Sequence, residues 1–239
     1  MKQFIRDFMS NDSTFGKIMT RLAIIIGANL MFLVFSMPVV TIGPGLAALY
    51  YVMLKTLHRD DSLNPFKTFW KGFVMNLKQG LLAMAIFAGA AAVLVLDIRF
   101  CNYAGGIFTY FKYACYAILF FLVIEFIYLM PVMAAFQDTL PHLMRNAFFF
   151  AARKPWKIIL AAAFNIVPIG ATVLDERNRP LYGFLWVILG FGMITMLVSE
   201  LLYNDIKEYL PEEEDEEGGA APKKVSERKT LREMKKLEK

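Results

Sequence analysis

Five long stretches of this chain are almost empty of charge. Residues 22–54, 79–96, 158–174 and 180–199 contain no Asp, Glu, Lys or Arg, and residues 113–136 contain one, Glu125. Together they cover 112 of the 239 positions. A hydrocarbon core about 30 Å thick needs about 20 apolar residues to be crossed as a helix. Four of the stretches come close to that length, and the fifth, 22–54, exceeds it. The overall composition agrees: 57% of residues are hydrophobic, with 22 Phe and 14 Met, where soluble domains sit nearer about 45–50%. A soluble globular domain, a disordered chain and a disulfide-stapled scaffold are excluded. The pattern predicts an all-α, polytopic transmembrane helical bundle with five to six membrane helices.

The number depends on residues 22–54. As one helix these 33 residues would run about 50 Å at 1.5 Å per residue. Pro38, Gly43, Pro44 and Gly45 forbid that. Proline lacks the backbone donor and its ring collides with the preceding turn, while Pro44 suits the first turn of a new helix. The reading is a helix to about Met37, a tight link over 38–43, and a second helix from Pro44 to about Leu57. The second piece either crosses or re-enters. If it crosses, both termini share one side, with 22 Lys and Arg on that side and four opposite. Five crossings split them 18 to eight. Basic connections favour the cytoplasm, so six crossings with both termini cytoplasmic fit better. The first apolar run starts at Leu22, after Asp7 and Asp12, with no Ala-x-Ala-like site, so the first helix reads as a retained anchor.

Two connections have amphipathic character. Phe66, Phe69, Trp70 and Phe73 share one helical face, with Lys67, Lys71 and Lys78 directed elsewhere. Leu140, Leu143, Ala147 and Phe150 share another, beside Arg145, Arg153, Lys154, Trp156 and Lys157. Aromatic and basic residues of this kind suit the headgroup zone, as depth anchors or as a docking surface. Residues 1–209 read as the transmembrane helical domain. Residues 210–239 read as an acidic-then-basic cytoplasmic tail: 212–217 are six consecutive acids, and 223–239 hold eight Lys or Arg. Such runs stay solvated, and disorder is expected.

Chemistry must come from polar residues in an apolar solvent. Glu125 lies near the centre of its stretch, where a carboxylate costs about 2.5–3.5 kcal/mol on insertion scales. Asn29 and Asn165 lie near the middle of theirs. An interhelical polar cluster of Asn29, Glu125 and Asn165 is expected, either as a structural clamp or as a proton- or substrate-handling site. Small residues at Ala83, Ala85, Ala88, Gly89, Ala91 and Ala92, and at Gly183, Gly190 and Gly192, predict close helix packing. Cys101 and Cys115 read as free thiols. His58 and His142 have no ligand set around them, so no metal, cofactor or catalytic residue is assigned. No His-Glu-x-x-His, Gly-x-Ser-x-Gly or phosphate-cradling Gly-x-x-x-x-Gly-Lys motif is present. The chain reads as a non-enzyme with no nucleic-acid partner.

The run Ser36-Met37-Pro38-Val39-Val40-Thr41-Ile42-Gly43-Pro44-Gly45-Leu46-Ala47-Ala48-Leu49-Tyr50-Tyr51 resembles the signature of the bacterial YesL family. Phe69, Phe73, Asn76, Lys78 and Gln79 fit it, as do Met130-Pro131-Val132-Met133-Ala134-Ala135-Phe136, Thr139-Leu140 and Asn146-Ala147. The resemblance spans about residues 10–209. It implies a small integral membrane protein of the cell membrane, mostly from Gram-positive bacteria, in a family without established activity. Its members are often encoded near carbohydrate ABC-transporter permeases and glycan-degrading enzymes. The expectation is therefore an accessory or regulatory partner of a carbohydrate ABC-type uptake system, contacting a permease or a membrane sensor in the lipid bilayer. A small transporter using the 38–45 break and Glu125 is the alternative. Pro38, Thr41, Gly43, Pro44 and Tyr51 form the helix-break motif expected to set the shape.

Overall fold

The computed structural model describes residues 14–58 and 63–207, and every regular element among them is helical. The chain forms α1 (Thr14–Phe35), a 3-10 turn (Val39–Thr41), α2 (Ile42–His58), α3 (Pro65–Ala104), α4 (Phe108–Ala135), α5 (Leu140–Arg153), α6 (Pro155–Leu174), α7 (Arg179–Leu185), a π turn (Trp186–Gly190) and α8 (Phe191–Ile206). Among the described residues six helical segments are long and apolar enough to cross a membrane: α1, the 3-10 turn with α2, α3, α4, α6, and α7 through α8. The expected tail at 210–239 lies outside the described residues.

The bend between α1 and α2 is built from its own sequence. Pro38 is extended (φ −74°, ψ 118°) and cannot continue α1. Thr41 closes the link by donating its hydroxyl to the carbonyls of Phe35 and Pro38, both at 2.6 Å. Pro44 then sits in the first turn of α2, where its missing N–H costs nothing. The new helix packs backbone to backbone on α3. A Cβ on Gly43 would lie 2.5 Å from the Gly80 carbonyl oxygen, and one on Gly80 would lie 2.6 Å from the Pro44 nitrogen. Further along, the Tyr51 ring rests on Gly72, where an added Cβ would meet Cδ1 at 2.8 Å. These pairs run in opposite senses along the two helices, so α2 is antiparallel to α3.

The α3 helix corrects the sequence reading. The amphipathic segment around residues 66–73 and the apolar stretch 79–96 are one continuous 40-residue helix. It starts with Asn64 accepting from the Phe66 and Lys67 N–H groups and with Pro65 at the first position. It runs past Asp97 and Arg99 and ends at Gly105, in positive φ at 66°. The proposed single aromatic face also divides. Phe69 and Phe73 enter the core beside Phe35, at 5.9 and 5.0 Å between ring centroids, while Phe66 and Trp70 point outward. The run of small residues behaves likewise. Ala83 is buried, but Ala85, Ala88, Gly89 and Ala92 are exposed, and nothing lies within 4 Å of a Cβ built on Gly89.

Several contacts fix which connections share an end of the bundle. His58, closing α2, meets Tyr203 near the end of α8 at 3.1 Å. Lys154 and Lys157, at the α5–α6 corner, both reach Asp205 at 2.6 Å. Gly27 faces Pro65 and Phe35 faces Phe73, so α1 runs parallel to α3 and its start lies on the Pro65 side. The start of α1, the α2–α3 connection, the α5–α6 corner and the end of α8 therefore gather at one end. The two turns at Gly105–Gly106 and at 175–178 lie at the other. In the second turn Asp175 accepts from the backbone and side chain of Asn178. The Asn178 side chain holds the Asp175 carboxyl below the usual carboxylate range.

Lys157 is not the snorkelling anchor that its place beside Trp156 suggests. Its side chain is 7% exposed. It donates to the Leu201 carbonyl and to Asp205, both at 2.6 Å, next to the C-terminus of α8. An ammonium there also faces the negative end of the helix dipole. The residue locks α6 to α8. Cys101 and Cys115 are free thiols, as expected.

Candidate functional site

Asn29 is fully buried on α1 and spends its amide on a single turn of the last span. Its Nδ2 donates to the carbonyls of Trp186 at 3.1 Å and Val187 at 2.7 Å. Its Oδ1 accepts from the Gly192 N–H at 2.9 Å. A side chain inserted into a helix ladder opens it, and the opening here is the π turn Trp186–Gly190 between α7 and α8. Gly192 admits the intruder: a Cβ there would lie 2.9 Å from the Ile25 carbonyl oxygen and 3.3 Å from the Asn29 Cβ.

The π turn aims Trp186 inward. Its indole N–H donates to the Thr172 hydroxyl on α6 at 2.9 Å, and its ring packs on Phe191 at 4.7 Å. Below it lies a cavity of about 130 Å³, lined by Leu46 and Tyr50 of α2, Phe126, Ile127 and Met130 of α4, Asn165 and Ile169 of α6, and Trp186, Phe191, Ile194 and Thr195. Three of the four bordering spans, α4, α6 and the last, have weakened ladders. Pro131 gives no N–H to the Ile127 carbonyl, and Pro168 gives none to that of Phe164. The cavity is mostly apolar and aromatic, with Asn165, Thr195 and Tyr50 as its polar edge. Asn165 donates to the Ala161 carbonyl at 2.8 Å, which leaves its Oδ1 free to accept. Thr195 donates to Phe191 and Gly192 carbonyls, both at 2.9 Å. Such a space fits a group of several heavy atoms, since an apolar cavity of about 150 Å³ holds benzene.

The polar cluster expected from Asn29, Glu125 and Asn165 does not form. Asn29 bonds to backbone of the last span, Asn165 to its own helix, and Glu125 to neither. The reason is azimuth. Phe126, Ile127 and Met130 face the cavity, and at 100° per residue Glu125 falls on the other side of α4. There it is partly buried, with no hydrogen bond or ion pair among the described residues. Of the helix-break motif, Pro38 is exposed, whereas Gly43, Pro44 and Tyr51 are buried in the α2–α3 contact. Sequence reasoning passed over Trp186, Thr172 and Gly80. The glycine pair at 190 and 192 was the available signal for the π turn, since a close approach needs a residue without a side chain.

Replacing Asn29 by Leu is expected to destabilise the protein by about 2 kcal/mol, the upper end for a polar contact between membrane helices. Thermal unfolding in detergent measures this, and amide exchange at Gly192 should rise. An unchanged melting temperature would mean that the π turn stands without Asn29.

Helices that bury this little against one another and expose so much Phe, Leu, Val and Ile define a polytopic helical membrane protein. Residues 25–98, from α1 through most of α3, match the family described as "Protein of unknown function, DUF624". No curated protein and no solved structure matches the chain. The matched region holds the bend, Gly43, Gly72 and Gly80, the parts that fix α2 against α3, and leaves out the cavity-lining parts of α4, α6 and the last span.

Proposed function

We propose that this protein is a non-enzymatic accessory or regulatory subunit that engages a membrane transport protein through its basic end. The observation that carries the reading is the gathering of the basic connections at one end, beside exposed Phe66, Trp70, Phe148, Phe149 and Trp156. Basic connections favour the cytoplasmic side, so this end, with both termini, faces the cytoplasm of a bacterial cell. Aromatic rings on a rigid helical frame, rimmed by Lys67 and Arg145, make a surface suited to a protein partner. The resemblance to the YesL family supports a carbohydrate ABC-type uptake system as the transporter, by association rather than by contact geometry.

The test is affinity purification from native membranes after crosslinking. A transporter permease should co-purify with the unaltered chain. The double variant Lys67→Glu, Arg145→Glu should lose it while melting at the same temperature. Repeated recovery of the lone protein would count against the reading.

A second reading, a small transporter, draws on the cavity between three weakened helices. It needs the bend to move and Glu125 to meet the substrate. The bend is packed backbone to backbone on Gly80, and Glu125 lies away from the cavity. Solute flux into liposomes that Glu125→Gln abolishes would favour this reading, and absence of flux for sugars and ions would remove it.

A further inference from the structure

Glu125 is the one carboxylate in the charge-poor stretches, and the cavity, the π turn and the helix contacts all do without it. Its neighbours on α4 one and two turns back, Phe121 and Ile118, share its face and are 67% and 54% exposed. Glu125 thus stands at the edge of a surface that hydrocarbon covers. A carboxyl in that position is costly and takes a donor where one is present. Among the described residues Glu125 has no hydrogen-bond or ion-pair partner, and the five stretches contain no Lys or Arg at all. A second copy would bring only another carboxyl to the same depth.

We propose that the Ile118, Phe121 and Glu125 face of α4 docks a transmembrane helix of a different chain, one that carries a Lys, Arg or His side chain at the depth of Glu125. Charge complementarity selects this partner over a second copy, and the bulky apolar pair beside the carboxyl supplies the packing surface around it. Within the bilayer an acid–base contact is shielded from water, so it gives register and partner choice as well as attraction. The inference rests on the accessory reading and names the chemistry of the partner's membrane face.

A photocrosslinking amino acid at Phe121, activated in native membranes, tests it, with the lipid-facing position Ile159 of α6 as control. The expected result is a discrete adduct at 121 and none at 159. The crosslinked peptide should come from a transmembrane segment of another protein containing Lys, Arg or His. Glu125→Leu should reduce the adduct at least tenfold, Glu125→Asp should retain part of it, and the melting temperature of purified Glu125→Leu should stay level or rise. An adduct to lipid alone, to a second copy, to a segment without a basic residue, or one insensitive to Glu125→Leu overturns the proposal. So does a fall in the melting temperature of Glu125→Leu, which would place a partner for the carboxyl inside this chain. If Phe121 meets only lipid while the basic-end variant still releases a permease, this inference fails and the accessory reading stands.

Discussion

Replacing Asp205 by Ala is expected to cost about 3–5 kcal/mol of stability, the usual range when one partner of a buried ion pair is removed. The substitution would leave the Lys157 ammonium, 7% exposed, with the Leu201 carbonyl as its remaining partner. Lys154→Ala should cost less than about 1 kcal/mol, because Lys154 is 44% exposed and water replaces what it loses. Lys157→Met should fall between the two, since Asp205 keeps Lys154. The double variant Lys157→Met, Asp205→Leu should recover most of the Asp205→Ala loss, because paired removal leaves no uncompensated charge. Thermal or denaturant unfolding of the four variants in one detergent measures the series. Equal losses for Lys154→Ala and Asp205→Ala would mean that Lys157 finds another anion and that the α6–α8 lock is misread.

The second large effect is expected at Gly80. A Cβ there would lie 2.6 Å from the Pro44 nitrogen and 2.7 Å from its Cα. Both atoms are backbone, so no side chain can swing aside, and α2 and α3 would have to separate. Overpacking typically costs about 1–3 kcal/mol, and Gly80→Ala should reach or exceed the top of that range. Gly43→Ala should do the same, because its Cβ would meet the Gly80 carbonyl oxygen at 2.5 Å. Gly89→Ala, nine residues further along the same helix, meets nothing within 4 Å and should be neutral or slightly stabilising through helix propensity. A comparable loss at Gly80 and Gly89 would show that helix flexibility, not close approach, is what these glycines provide.

Much of the architecture was legible in the sequence because the membrane restricts the choices. Charge-free runs mark spans, and the prolines and glycines of 38–45 mark a break, for reasons that act within a few residues. The amphipathic pattern Leu140, Leu143, Ala147 was legible for the same reason, and all three are buried. What the sequence could not carry was rotation about each helix axis. Asn29, Glu125 and Asn165 sit at comparable positions along their spans, which suggested a cluster. Their directions are set by contacts far away in the chain: Asn29 by a backbone turn at 186–192, and Glu125 by which side of α4 meets the cavity. Lys157 shows the same limit. A lysine beside a tryptophan near a span end reads as a surface anchor, and only the position of Asp205, 48 residues on, turns it inward. Gly80 escaped notice because its importance lies in Pro44, on a different helix.

The central claim is a bundle of six membrane-crossing helices whose basic connections all lie on one face of the bilayer. Single cysteines placed at Asn64, Ala152, Val39, Gly106 and Asn178, in a background with Cys101 and Cys115 replaced by Ala, can be probed in intact cells with a membrane-impermeant maleimide. Positions 39, 106 and 178 are expected to label from outside, and positions 64 and 152 only after the membrane is opened. Labelling of 64 or 152 from outside, or protection of 39 together with them, would contradict the six-crossing arrangement.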